Sequence, residues 1–90
     1  MYKIFYTSQF KKKIKLCQRR GLDMRKLYNI INLLISEGKL PATYHPHRLS
    51  GNTSGLWECH IGPDWLLIWK QNNDEFTLLM IDTGTHSDIF

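Results

Sequence analysis

The chain has 90 residues, 42% of them hydrophobic and 22% charged, which is enough apolar side chain for one packed core and too much for a disordered chain. It carries a formal charge of +4, contains no run approaching the ~18 apolar residues of a membrane span, and shows no apolar leader ahead of its first lysines. No membrane partner is therefore expected, and an anionic partner is, because nine of the twelve Lys and Arg residues fall within the first 26 positions and no acid precedes Asp23.

Residues 2–6 are aromatic and β-branched enough for a short strand. Ser8 can cap a helix in which Phe10, Ile14 and Cys17 form an apolar stripe, with Lys11, Lys12, Lys15 and Arg19 on the other sides. Gly21 closes that helix, and Asp23 opens a second one. There Met24, Leu27, Ile30, Ile31, Leu34 and Ile35 recur at spacings of three and four before Gly38 ends the run. The short link between the two predicts an antiparallel helix hairpin.

Residues 38–55, with Pro41, Pro46 and several glycines, read as one long surface loop. Three apolar runs follow at 56–61, 64–70 and 75–82, joined by Gly62-Pro63-Asp64-Trp65 and by Asn72-Asn73-Asp74. They predict a three-stranded antiparallel meander that the N-terminal strand extends to four strands, with the helices on one face. The fold class expected is α+β, and residues 1–90 form a single domain without repeats. If Gly62 and Trp65 flank the first turn, Cys59 and Ile61 share the helix-covered face with Leu66 and Ile68. Glu58, His60, Leu67 and Trp69 then share the open face, where aromatic and charged groups suit RNA. Cys17 and Cys59 lack the spacing of metal or redox pairs and read as buried free thiols, which suits a reducing cytoplasm.

The four histidines, His45, His47, His60 and His86, all lie beyond residue 44, and Asp64 sits in the turn after His60. Imidazoles give and take protons near neutral pH, which is what cleavage of an RNA phosphodiester through its own 2′-OH requires. One group removes the 2′-OH proton, another protonates the departing 5′-oxygen, and a cation or strong donor stabilises the charge on phosphorus. Zinc ligation by His45, His47, His60 and Asp64 is the rival use, although no second short-spaced ligand pair supports it. His45 itself has no assigned part and is expected to be exposed.

His60-Ile61-Gly62-Pro63-Asp64-Trp65 and Gly84-Thr85-His86-Ser87-Asp88-Ile89-Phe90 resemble the motifs of the YafQ branch of the RelE toxin superfamily. The likeness runs nearly end to end and includes the basic first helix and the loop His47-x-Leu49-x-Gly51. It implies a RelE-like fold and a toxin of a bacterial type II toxin–antitoxin pair. Such a toxin cuts mRNA on the ribosome without a metal or other cofactor and leaves a 2′,3′-cyclic phosphate. It pairs with an acidic antitoxin that carries any contact with DNA.

By that resemblance His47 is the candidate base and His86 the candidate acid. His60 and Asp64 orient these groups or bind phosphate, and Trp65 and Phe90 shape the base pocket. Lys11, Lys12, Lys15 and Arg19 would grip rRNA. Many relatives have an arginine where this chain has Asp82. Arg48 or Lys70 is the candidate replacement for it. The alternative is an attenuated homologue that only binds its antitoxin and regulates its operon.

Overall fold

The computed structural model describes residues 1–51 and 55–90. Its elements, in chain order, are β1 (Lys3–Tyr6), α1 (Ser8–Arg19), α2 (Met24–Glu37), β2 (His47–Arg48), β3 (Leu56–Gly62), β4 (Trp65–Asn72), β5 (Thr77–Gly84) and α3 (His86–Ile89). The five strands form one sheet in the order β1-β5-β4-β3-β2, with β1 parallel to β5 and the other neighbours antiparallel. The expected α+β architecture is present, but the sheet has five strands rather than four, and a 3-10 turn and a C-terminal helix are added. Residues 38–55 are not one loop: Ala42–Tyr44 make a 3-10 turn and His47–Arg48 pair with β3 as an edge strand. The part of that loop at 52–54 lies outside the described residues. The C-terminal end coils into α3.

The local reasons are those of helix ends and apolar periodicity. Thr7, not Ser8, caps α1, because its extended backbone lets Oγ1 accept from the N–H of Phe10 at 3.0 Å. Asp23 caps α2 by accepting from the N–H of Arg25. Gly38 ends α2 in the left-handed region at φ 69°, with the Tyr2 ring so close that no side chain would fit. Phe10 and Cys17 of α1 and Leu27, Ile30, Ile31 and Leu34 of α2 are buried together against one face of the sheet. Each such aliphatic side chain contributes roughly 1.5–3 kcal/mol on leaving water.

A β-bulge corrects the expected division of faces. The register slips between His60 and Gly62, so His60 lies opposite Leu66 and Cys59 opposite Leu67. Trp57, Cys59, Trp65, Leu67 and Trp69 therefore face the helices. Glu58, His60, Leu66, Ile68 and Lys70 share the other face, and His47 of β2 joins them through its pairing with Glu58. One extra residue at Ile61 exchanges the two sides of β4 relative to the unbulged expectation.

Candidate active site

The site forms where the β3–β4 turn, the residues before β2 and the C-terminal helix meet. Asp64 stands in the turn, and its Oδ1 accepts twice from one residue: from His86 N–H at 3.2 Å and from His86 Nδ1 at 2.9 Å. These bonds leave Nε2 as the ring nitrogen that looks outward. The His86 hydrogen bonds hold the Asp64 carboxyl below the usual carboxylate range.

His86 is positioned from behind as well. Thr85 and Asp88 make a reciprocal capping box around the start of α3. Both Asp88 oxygens also accept from Arg20, the C-cap residue of α1, at 2.6 and 3.2 Å, and Lys13 donates to the Asp88 carbonyl at 3.3 Å. The Arg20 guanidinium, helped by the Thr85 N–H, holds the Asp88 carboxyl far below its ordinary value. The approach of Asp88 to the backbone needs Gly84, where an added Cβ would come within 2.7 Å of an Asp88 oxygen.

His60 lies between two other imidazoles, its ring centroid 5.6 Å from that of His45 and 6.3 Å from that of His86. No hydrogen bond reaches the His60 ring among the described residues. Phe90 follows on the far side of His86, 6.5 Å between centroids and exposed. His47 occupies the adjacent strand on the same face, with Nε2 3.2 Å from Glu58 Oε1 and Nδ1 2.9 Å from the His45 carbonyl. His45 adopts a left-handed backbone at φ 49°, uncommon for a side-chain-bearing residue and the kind of local strain that collects at functional sites. A groove of about 330 Å³, lined by Tyr44, His45, His60 and Pro63 among others, opens beside the imidazoles.

The structure thus brings His47, His60, Asp64, His86 and Phe90 together. Three expected binding residues are elsewhere. Trp65 is buried on the helix side, donating from Nε1 to Thr83 Oγ1 at 2.9 Å, because the bulge turns it inward. Arg48 pairs with Trp57 and stacks over its ring at 5.3 Å, on the opposite face from His47. Lys70 shares the site's face but stands four residues from Leu66, the partner of His60, or about 13 Å at ~3.3 Å per residue. Lys11, Lys12, Lys15 and Arg19 are exposed along α1.

Asp82 does not confront the site. Its carboxylate is buried against α1, where it accepts from Lys13 at 3.0 Å and from Gln9 at 2.9 Å. The rival metal set does not assemble, since His47 turns to Glu58 while His45 turns to His60. Among the described residues no group of three or more His, Cys, Asp or Glu side chains is disposed to hold a metal ion. Both thiols are buried, and burial pushes that of Cys59 up to about 12, which makes it inert. The sequence reading missed His45, Glu58, Asp88 and Arg20 as parts of the site. Thr85-x-x-Asp88 is the one signal that could have shown α3 in advance.

Residues 2–90 match the family model described as the bacterial toxin of type II toxin–antitoxin systems, YafQ. The chain belongs to the YafQ toxin family. It is 42% identical over 89 residues to the mRNA interferase toxin YafQ of Escherichia coli K12, covering 97% of this chain and 94% of that one. The crystal structure of YafQ from E. coli BL21(DE3) superposes with a TM-score of 0.92 at 38% identity, covering 100% of this chain and 99% of that one. The YafQ chain of the E. coli DinJ–YafQ complex superposes with a TM-score of 0.90 at 40% identity over the same shares. Among the described residues no helix is long and apolar enough to cross a membrane.

Proposed function

We propose that this YafQ-family chain is an endoribonuclease that cuts mRNA on the ribosome by acid–base chemistry. One observation carries the reading: His86 is fixed by Asp64 through two hydrogen bonds with Nε2 directed outward, beside a His60 ring that no side chain among the described residues ties up. In this reading His60 takes the 2′-OH proton, the 2′-oxygen attacks phosphorus, and the bond from phosphorus to the 5′-oxygen breaks. His86 Nε2–H delivers a proton to that oxygen, leaving a 2′,3′-cyclic phosphate and a 5′-hydroxyl. The side chains and the RNA supply every group that forms or breaks a bond, so the step as proposed calls for no metal.

The exposed Phe90 offers a stacking face for a base, and the lysines of α1 offer charge for rRNA phosphates. A ribosomal target places the protein in the cytoplasm. The likeness to a YafQ chain crystallised with DinJ supports an antitoxin partner, acidic to suit the charge of α1. The antitoxin-binding-only alternative rested on Asp82, which is occupied by Lys13 and Gln9 and puts no anion at the site.

Primer extension on translated mRNA after brief induction tests the proposal. Discrete, translation-dependent cuts by the wild type that vanish in His86→Ala support it. Intact mRNA with a folded wild-type protein rejects it in favour of the antitoxin-binding role.

A further inference from the structure

His47 and Glu58 face each other in register across β2 and β3. The contacts of the His47 ring constrain where its protons lie. Nδ1 of His47 is 2.9 Å from the carbonyl oxygen of His45, and a carbonyl only accepts, so this nitrogen carries a hydrogen. Nε2 is 3.2 Å from Glu58 Oε1, an ion-pair distance at which a bare lone pair on Nε2 would face a carboxylate oxygen, so the contact favours a proton on Nε2. While the bond and the ion-pair contact both hold, neither nitrogen offers a lone pair to a 2′-OH.

Glu58 has its own reason to keep the arrangement. Its side chain is 8% exposed, and its second oxygen, Oε2, is buried with no hydrogen-bond partner among the described residues. A buried carboxylate is costly unless a positive partner compensates it. The other groups that titrate or carry charge nearby do not serve. Arg48 is on the opposite face over Trp57, Lys70 stands two residues along β4 from Ile68, the partner of Glu58, and makes no salt bridge to it, and His45 and His60 face one another. His47 is the group in contact.

We propose that Glu58 is a positioning residue whose Oε1, in contact with Nε2 of His47, keeps that nitrogen protonated. His47 then meets the scissile phosphate as a fixed cation rather than as the base that the family resemblance suggests. This rests on the cleavage reading above. It gives the site a positive group next to His60, where neither Arg48 nor Lys70 reaches, and leaves proton abstraction to His60.

NMR of the histidine ring nitrogens in the isolated protein at neutral pH tests the pair without any RNA. The expected result is a proton on both nitrogens of His47 in the wild type and on one in Glu58→Gln, whose amide can donate to Nε2. A neutral His47 in the wild type overturns the proposal. Single-turnover cleavage by His47→Arg and His47→Gln tests the role without relying on the Glu58 variant to fold. A cation role predicts that the arginine variant is at least about tenfold faster than the glutamine variant, whereas equal rates overturn it. A wild type that cuts nothing rejects the cleavage reading, and the NMR result still decides the state of the pair.

Discussion

His86 Nδ1 and the backbone N–H of His86 converge on one oxygen of Asp64, at 2.9 and 3.2 Å. A turn between two strands and the first turn of a terminal helix are thereby locked together, and the histidine is left with a single outward nitrogen. Both side chains are more than half exposed, so the bond orients the ring more than it stabilises the fold. His86→Ala should lower cleavage by about 10²- to 10⁴-fold, and Asp64→Asn by less. Thermal unfolding of both variants should stay near that of the wild type, and rates on ribosome-bound mRNA beside melting curves read the two effects separately.

The second support of His86 is the Arg20–Asp88 pair. The folded carboxyl of Asp88 is held below its unfolded value, chiefly by Arg20. Its contribution is therefore complete above the unfolded carboxylate range near about pH 4 and is lost as pH falls below it. Wild-type protein should lose thermal stability on acidification through that range. Asp88→Asn should be less stable at neutral pH and show a shallower acid limb. Arg20→Gln should cut several-fold more slowly, because α3 is less firmly seated.

The resemblance led to an arginine being expected at Asp82, yet arginine here should not raise activity. The carboxylate is buried and serves Lys13 and Gln9. Asp82→Arg removes the acceptor and sets a second cation beside Lys13, a loss of about 3 kcal/mol by analogy with broken buried pairs. Urea unfolding measures it, and an Asp82→Arg protein of unchanged stability and higher toxicity would mean that the side chain can swing to the site.

Trp65 separates stability from activity. Its indole N–H donates to Thr83 inside the core. Trp65→Phe should cost about 1–3 kcal/mol through the lost bond and the gap left by the smaller ring. It should slow cleavage far less than His86→Ala when both are measured well below their melting temperatures.

How much of this was legible in the sequence follows from what each signal encodes. The periodic apolar residues of α2, the caps at Asp23 and Gly38 and the strands around the Pro63 turn are local features, and they were readable. The two-residue strand at His47–Arg48 was not, because its pairing with Glu58 and Trp57 depends on distant chain. The bulge at Ile61 carries no composition signature, so Leu67 and Trp69 were expected on the open face, and Trp65, expected at the base pocket, is buried instead. Arg20 looked like one more charge of a basic helix, and only the fold shows that it holds Asp88, 68 residues away.

The most direct test of the account is end-group analysis of mRNA cut on programmed ribosomes by purified wild type and by folded His86→Ala. The account predicts discrete cuts bearing a 2′,3′-cyclic phosphate and a 5′-hydroxyl with the wild type, and almost none with the variant. Equal cutting by the two, or a 3′-hydroxyl end that signals attack by water at the other side of phosphorus, would contradict it.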